Sequence, residues 1–249
     1  MSSWRRHLVA GHVVPALHAW GKAAGHPVNV ASPMRWGGLS VARGSKVHCH
    51  AVSGDVEIME GATVGQDVRL GPRVRLGPGS TVVEAAQLYD CVIGEAVRVE
   101  IGSLVAHLSA GARSWIGAET LCCGRGEGRI VLGEDAYVGF RCLLDWTGGL
   151  TIGSSVQISG PSSAFWTHSS LEQAAAGLTY ESSEGRFEAP IVIGDHAYIG
   201  GNCTIYPGVT IGEYAVVLPN SAVSEDVAPH TMVGGVPAKV VREIAVRTH

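Results

Sequence analysis

The chain has 249 residues, which is enough for one elongated domain with appendages or for two small domains. Its formal net charge is only −4 and it contains no run of basic residues, which argues against nucleic acid as a partner. No apolar stretch reaches the roughly 18 residues of a membrane span and the N-terminus lacks a secretory pattern, so a cytoplasmic protein without a membrane span is predicted.

The first segment, residues 1–38, has no repeat and is predicted to form a short helical arm. Pro15 would interrupt a broken helix whose apolar face is formed by Trp4, Leu8, Leu17 and Trp20. The four histidines of this segment lack the spacing of metal ligands, and we expect them to be packed or solvated. They are His7, His12, His18 and His26. Further on, His48 and His50 share one face of an extended segment without a third ligand nearby, so a structural role is predicted.

A period of six residues organises the rest of the chain. Aliphatic residues recur in phase at Ile58, Val64, Leu70, Leu76, Val82 and Leu88, and again at Ile193, Ile199, Ile205, Ile211, Val217 and Val223. A helix repeats its apolar face every 3.6 residues and a simple strand every two, so neither gives this pattern. A hexapeptide period is typical of a parallel β-helix, in which three short strands form one triangular coil. The aliphatic residue points into the coil, and the glycine that often follows it serves the turn.

Two interruptions of the period indicate loops that leave the coils. Residues 145–149 contain a two-residue insertion, and residues 160–190 form a long excursion rich in Ser, Ala and Glu. Insertions in a solenoid bulge outward at a corner, and long loops of this kind are commonly functional. The sequence therefore predicts an all-β parallel β-helix over residues 39–232, with the excursion at 160–190 and a C-terminal tail at 233–249.

Four motifs in the second half of the chain carry a family resemblance. They are Thr167-His168, then Pro190 to Gly201 (PIVIGDHAYIGG), Tyr206 to Gly212 (YPGVTIG) and Gly234 to Arg242 (GGVPAKVVR). In this order they resemble the hexapeptide-repeat acyltransferases, and within them the galactoside, maltose and related sugar O-acetyltransferases. The resemblance covers roughly Leu132 to Ile244. It implies a left-handed β-helix, acetyl-CoA as acyl donor, no metal, and a homotrimer with active sites between neighbouring subunits.

The resemblance also implies roles for individual residues. His168 matches the catalytic histidine, Asp145 the acidic residue that contacts the acceptor hydroxyl, and Trp166 is assigned to the acceptor side. Coenzyme A is expected at Gly201 (thioester end), Pro219 and Ser224 (pantetheine), and Lys239 and Arg242 (nucleotide phosphates). The chain departs from the family pattern at Tyr198, where relatives often have Trp, and at Ser224-Glu225, where many have Thr-Lys. The additional N-terminal coils are absent from the small sugar acetyltransferases and leave the acceptor open.

The expected reaction is direct transfer of an acyl group from a thioester to a hydroxyl. A protonated hydroxyl is a poor nucleophile, and a histidine, with an unperturbed pKa of about 6.5, is suited to take its proton. A backbone N–H beside Gly201 could stabilise the developing oxyanion. The six cysteines form no CxxC pair, and Cys142 and Cys203 fall at small inward positions, so packed thiols are predicted rather than a disulfide, a zinc site or an acyl-cysteine.

Several alternatives remain open from the sequence. The acceptor could be the nitrogen of an amino sugar or of its nucleotide derivative, or the chain could be a non-catalytic β-helix scaffold. A metal enzyme of the γ-carbonic-anhydrase kind shares the fold, but His107, His168 and His196 do not have its spacing. Asp145 could equally be a corner cap that accepts hydrogen bonds from backbone N–H groups.

Overall fold

The computed structural model describes residues 28–29, 34–36 and 38–245 and divides into two units, Met1–Glu119 and Thr120–His249. Most of the predicted N-terminal arm lies outside the described residues. Within the part of the chain that the structure describes, no helix has the length and apolar character needed to cross a membrane.

The first unit consists of short strands joined by tight turns. Its strands are β1 (Val28–Asn29), β2 (Met34–Trp36), β3 (Leu39–Val41), β4 (Lys46–Val52), β5 (Val56–Ile58), β6 (Thr63–Leu70), β7 (Val74–Leu76), β8 (Thr81–Val82), β9 (Gln87–Ile93), β10 (Arg98–Val99), β11 (Leu104–Ala110) and β12 (Trp115–Ile116). From β3 onward they pair in parallel with the strand one coil later. Val56 pairs with Val74, 18 positions on, and Val74 with Cys91, 17 positions on, so this unit contains both full coils of 18 residues and coils that are one residue shorter.

The predicted inward positions form the core of this unit. Each member of the first aliphatic series is at most 2% exposed: Ile58, Val64, Leu70, Leu76, Val82 and Leu88. Small polar residues share the interior because their hydroxyls bond to backbone, as Ser103 Oγ donates to Gly117 O at 2.9 Å. Burying these aliphatic side chains contributes roughly 1.5–3 kcal/mol each, which explains why the six-residue period is so regular.

The second unit repeats the same construction. Its elements are β13 (Leu121–Cys123), β14 (Ile130–Leu132), β15 (Tyr137–Val138), β16 (Leu143–Asp145), β17 (Leu150–Ile152), β18 (Gln157–Ile158), β19 (Ala164–Phe165), β20 (His168–Ser169), α1 (Leu171–Ala175), β21 (Phe187–Glu188), β22 (Ile191–Ile193), β23 (Tyr198–Ile199), β24 (Thr204–Ile205), β25 (Thr210–Ile211), β26 (Val216–Val217), β27 (Ala222–Val223), β28 (Thr231–Gly234) and β29 (Lys239–Glu243). Ile193 pairs in parallel with Ile211, 18 positions later, which is three hexads. The second aliphatic series is at most 1% exposed: Ile193, Ile199, Ile205, Ile211, Val217 and Val223.

The excursion leaves the second unit after Thr167, several residues beyond Gly160. Strand β19 still pairs in parallel with β16 and β24, and Phe165 fills an inward position with no exposed surface. Phe165 follows Ile158 by seven residues and is aromatic, so it falls outside the aliphatic period of six. Beyond it, β20 and β21 pair antiparallel, and the buried Gln173 of α1 donates from Nε2 to Thr179 O (2.6 Å) and Ser182 O (2.7 Å).

The C-terminal tail forms an antiparallel hairpin of β28 and β29, and β28 pairs in parallel with β26. Strand β29 is exposed along its length. The prediction of an all-β parallel β-helix is therefore confirmed for the described residues of each unit, and the coils are consistent with the left-handed winding that the family resemblance implies.

Candidate active site

Asp145 closes strand β16 and is completely buried. Its Oδ1 accepts hydrogen bonds from Thr147 N (2.9 Å) and Thr147 Oγ1 (2.6 Å), and its Oδ2 accepts one from Thr167 N (2.9 Å). A buried carboxylate is tolerated only when it is paired or hydrogen-bonded. The two-residue insertion that follows β16 supplies Thr147, so the insertion contributes a donor that Asp145 requires.

Thr167 and His168 come from the next coil. The pairing of Leu144 with Phe165 places Thr167 beside the Asp145 turn, where Thr167 Oγ1 donates to Asp145 O (3.2 Å) and accepts from Gly148 N (2.9 Å). Thr167 is fully buried. His168 then begins the excursion, its backbone held by the β20–β21 pair. The coil register and the excursion therefore together fix the histidine.

His168 and Asp145 are in direct contact. His168 Nδ1 lies 2.6 Å from Asp145 Oδ2, and the His168 side chain retains 29% of its exposed surface. Burial raises the pKa of the Asp145 carboxyl, but hydrogen bonds from Thr147, His168 and Thr167 lower it by more, so the net pKa lies below its ordinary value. Because the ionised carboxylate can only accept, Nδ1 carries the proton and Nε2 of a neutral imidazole has its lone pair available.

This geometry distinguishes the two interpretations of Asp145. The described hydrogen bonds of its carboxylate come from Thr147, Thr167 and His168, and Asp145 has no exposed surface for an acceptor hydroxyl to reach. The contacts expected of a corner cap are present, since Asp145 accepts from two backbone N–H groups. Direct acceptor contact by Asp145 finds no support here. The contact with the histidine could not be foreseen from the sequence, in which the two residues are 23 positions apart.

Trp166 lies beside His168 on the outer surface of the coil. Its ring packs edge-on against the imidazole with centroids 6.1 Å apart, and it is 36% exposed. The structure thus brings together Asp145, Trp166 and His168, the three residues predicted for the acceptor side.

A small pocket beside His168 includes several residues for which the sequence predicted no role. Its lining residues are Arg125, Thr147, His168, Ser170, Tyr180 and Arg186. Arg125 belongs to the glycine-rich loop at 124–128. A side chain at Gly124 would meet the Trp146 ring at 2.8 Å, and one at Gly128 would meet Trp146 O at 1.7 Å. Only glycine lets this loop lie against the Asp145 turn.

The residues predicted at the coenzyme A thioester and pantetheine lie on other turns of the second unit. Gly201 is in the turn that precedes β24, and Pro219 is in the matching turn one coil later, joined by the bond from Asn220 N to Gly201 O (3.0 Å). A Cβ at Gly201 would lie 2.7 Å from Gly160 O, which accounts for the glycine. His168 follows β19, whereas these turns precede β24 and β27. They therefore belong to a different corner of the coil.

The predicted phosphate ligands lie on strand β29. Lys239 Nζ contacts Glu225 Oε1 at 3.2 Å and Oε2 at 3.3 Å, and both side chains are well exposed. Ser224 precedes Glu225 and is exposed. Arg242 is exposed and donates from Nη1 to Glu243 O at 3.2 Å. A polyanion in solvent can therefore reach both cations. To bind it, Lys239 would give up its ion pair with Glu225.

The cysteines of the second unit are packed. Burial raises the pKa of the Cys142 thiol to about 11 and also raises the pKa of Cys203. Burial, followed by the charge of Asp145, raises the pKa of Cys123. These thiols are therefore poor nucleophiles near neutral pH. Among the described residues, no group of three His, Cys, Asp or Glu side chains could hold a metal ion.

Comparisons with known proteins agree with this architecture. Residues 190–225 match the family model described as bacterial transferase hexapeptide (six repeats). A Staphylococcus aureus (strain COL) protein whose name assigns it provisionally to the acetyltransferases is 38% identical over 117 residues, which are 46% of this chain and 55% of that protein. The match thus spans about half the length of the curated relative.

Two solved structures extend the comparison. A hexapeptide-repeat acetyltransferase of Vibrio cholerae, complexed with acetyl coenzyme A, is 34% identical, with 59% of this chain and 73% of that chain covered and a TM-score of 0.48. LpxA from Acinetobacter baumannii is 16% identical with a TM-score of 0.51, over 77% of this chain and 72% of that chain, and shows a shared fold.

The family-model match falls on the hexads from Pro190 to Glu225, where the inward aliphatic positions are buried as the repeat requires. The homologous relative is assigned to the same class of transferases. Residues 190–225 therefore carry the repeat that the bacterial transferase hexapeptide model describes, and the chain is similar to proteins named as acetyltransferases.

Proposed function

We propose that this protein transfers an acetyl group from acetyl-CoA to a hydroxyl of a sugar or a related small molecule, with His168 as general base. The observation that carries the proposal is the contact between His168 Nδ1 and the buried Asp145 carboxylate. A scaffold would have no need of a buried carboxylate that fixes the tautomer of a partly exposed histidine.

The residues support the following sequence of proton movements. His168 Nε2 takes the proton of the acceptor hydroxyl as its oxygen bonds to the thioester carbonyl carbon. The imidazolium that results is stabilised by Asp145, which is a positioning residue because it acts through His168. His168 then returns the proton to the departing thiolate, so that an acetyl ester and free coenzyme A leave and the neutral imidazole is restored. No side chain is acylated, in keeping with the buried thiols of Cys142 and Cys203.

Coenzyme A fits the exposed cations of strand β29. Lys239 and Arg242 would hold phosphate groups by charge-assisted hydrogen bonds, and Gly201, Pro219 and Ser224 are proposed to line the rest of the donor. A cytoplasmic homotrimer belongs to the same proposal and rests on the family resemblance. In a trimer, a neighbouring subunit would complete the site, since Gly201 and His168 occupy different corners of one coil.

The test is acetyl-CoA turnover by wild-type protein and by His168→Asn, with neutral sugars, amino sugars and nucleotide sugars as acceptors. A positioned base contributes about 10²–10⁴-fold, so turnover should fall by that factor while coenzyme A binding and melting temperature are kept. His196→Asn, in an exposed turn of the same unit, is the matched control and should behave as wild type.

Two results would contradict this function. If His168→Asn kept wild-type turnover, His168 would not be the general base. If an acetylated cysteine were trapped during turnover, the reaction would proceed through a covalent intermediate and not by direct transfer. Preference for an amino sugar, with the acetyl group on nitrogen, would identify the N-acetyltransferase alternative instead.

A further inference from the structure

We propose that the acceptor carries an anionic group, a phosphate monoester or a carboxylate, which Arg125 and Arg186 bind beside His168. The inference rests on the proposed function, because it names the class of acceptor for the same site. Its starting point is the pocket whose lining includes His168, Thr147 and Ser170 together with both arginines.

The two guanidinium groups are brought together by Tyr180. The Arg125 guanidinium carbon lies 4.3 Å from the centroid of the Tyr180 ring, and Arg186 Nη2 donates to Tyr180 O at 3.2 Å. Arg125 comes from the glycine-rich loop, whereas Tyr180 and Arg186 come from the excursion. Two segments that are distant in sequence therefore each contribute an arginine that contacts Tyr180 and lines the same pocket.

Neither arginine forms an ion pair with a residue that the structure describes. Two other exposed arginines do form ion pairs, Arg73 with Asp90 (3.0 Å) and Arg75 with Glu57 (3.3 Å). Among the described residues, the side chain of Arg125 contacts the Tyr180 ring and that of Arg186 contacts the Tyr180 carbonyl. Two neighbouring cations repel one another, and an anion between them would offset that repulsion and form charge-assisted, bidentate hydrogen bonds.

The same loop is connected to the proposed base. Arg125 N donates to Thr147 Oγ1 at 3.1 Å, Thr147 Oγ1 donates to Asp145 Oδ1 at 2.6 Å, and Asp145 holds His168. The position of the Arg125 backbone is therefore fixed relative to His168 by two intervening side chains. An anion bound by Arg125 would hold the rest of the acceptor in a defined place beside the imidazole, which is how charged anchors contribute to catalysis.

The first experiment measures the anion site without catalysis. Inorganic phosphate is titrated into wild type, Arg125→Gln, Arg186→Gln and the double variant at low ionic strength, with binding followed by calorimetry and ³¹P line broadening. Arg43→Gln is the matched control, since Arg43 is an exposed arginine in a turn of the first unit. We expect each pocket variant to weaken phosphate binding by about tenfold or more and the control to leave it unchanged.

The second experiment measures acceptor preference. Turnover of acetyl-CoA is compared for glucose, glucose 6-phosphate and glucuronate, which differ in charge and share the sugar ring. We expect one or both anionic acceptors to exceed glucose in kcat/KM by at least about tenfold, and the double variant to lose this preference mainly through KM. The phosphate and carboxylate arms identify which anion the site takes. Arg125→Lys keeps the positive charge but lacks the paired N–H donors of the guanidinium group, so it should retain part of the preference for anionic acceptors that Arg125→Gln loses.

The outcomes separate this inference from the proposed function. Acetyl transfer with no preference for anionic acceptors, or with a preference that the double variant keeps, overturns the inference and leaves the function standing. Phosphate binding that depends on both arginines, with no acetyl transfer to any acceptor, supports the anion site and overturns the function. Absence of both phosphate binding and acetyl transfer overturns the inference and the proposed function.

Discussion

Replacement of Asp145 by Asn tests the core of the proposed mechanism. Asn has nearly the same shape as Asp, but one carboxylate oxygen becomes an NH₂ group. All four described hydrogen bonds to the Asp145 carboxylate come from donors: Thr147 N, Thr147 Oγ1, Thr167 N and His168 Nδ1. Whichever way the amide is turned, its NH₂ group faces one backbone N–H, either that of Thr147 or that of Thr167.

The magnitudes follow from these contacts. A buried N–H left without an acceptor costs about 1–3 kcal/mol, and the remaining hydrogen bonds lose their charge assistance, so we expect a loss of about 2–4 kcal/mol in unfolding free energy. With NH₂ toward His168, Nδ1 must accept and Nε2 carries the proton, which removes the base. With NH₂ toward Thr147, the tautomer survives but the imidazolium loses its counter-charge. Turnover should therefore fall by about 10²–10⁴-fold.

The assay combines denaturant unfolding, acetyl-CoA turnover and a pH series. Because the pKa of Asp145 is lowered in the folded state, the stability it contributes is present above the carboxyl's ordinary value of about 3.9 and is lost as the pH falls through the lower folded pKa. The stability difference between wild type and Asp145→Asn should therefore shrink below about pH 4.

Asp195→Asn is the matched control for this prediction. Asp195 lies in an exposed turn and its Oδ1 accepts one described hydrogen bond, from Ser154 N at 2.8 Å. Its replacement should leave turnover unchanged and cost less than about 1 kcal/mol. A folded Asp145→Asn protein with wild-type turnover would refute the proposed role of Asp145, and so would a loss of turnover in Asp195→Asn of equal size.

Three further predictions concern the donor and the core. Replacing Lys239 and Arg242 together by Ala should raise the KM for acetyl-CoA and reduce its salt dependence while turnover at saturation stays nearly intact; a collapse of turnover at unchanged KM would contradict the phosphate assignment. Glu225→Gln should lower the KM for acetyl-CoA, because it removes the carboxylate that competes for Lys239, and an unchanged KM in steady-state assays would show that the pair does not affect the donor. Ile205→Asp should prevent folding because it buries an uncompensated charge, whereas Thr204→Asp, the outward neighbour, should melt near wild type; equal melting of both variants would refute the register.

The sequence was sufficient to predict the coils because their core requires the same kind of buried side chain at regular, short intervals along the chain. Inward hexad positions such as Ile193 and Leu76 recur every six residues and are buried, so an aliphatic side chain is favoured at each of them independently of distant parts of the chain. Phe165 was not identified as an inward residue because the turn before it is one residue longer and because the residue is aromatic. It follows the previous inward residue by seven positions, so a search for aliphatic residues every six positions does not find it.

The candidate site was predictable only in part, for a related reason. Asp145 and His168 could each be selected by their motifs, but their contact depends on Leu144 pairing with Phe165, a register set by the longer turn. The excursion has no repeating sequence pattern from which its conformation could be predicted. Its chain is held instead by hydrogen bonds from Gln173 to Thr179 O and Ser182 O. The proximity of Arg125, Tyr180 and Arg186 is therefore a property of tertiary structure alone.

The residues that position the proposed base lie in the coils, whereas the residues proposed to bind the acceptor lie on loops. Asp145 and Thr167 are fully buried within paired coils, so the elements that hold His168 share the stability of the core. Arg125 and Tyr180 are exposed on loops, where residues can change with little effect on that core. Exchange of residues 171–186 for another sequence, with β21 kept to pair with β20, should therefore alter which acceptor is used before it alters whether His168 can act as a base.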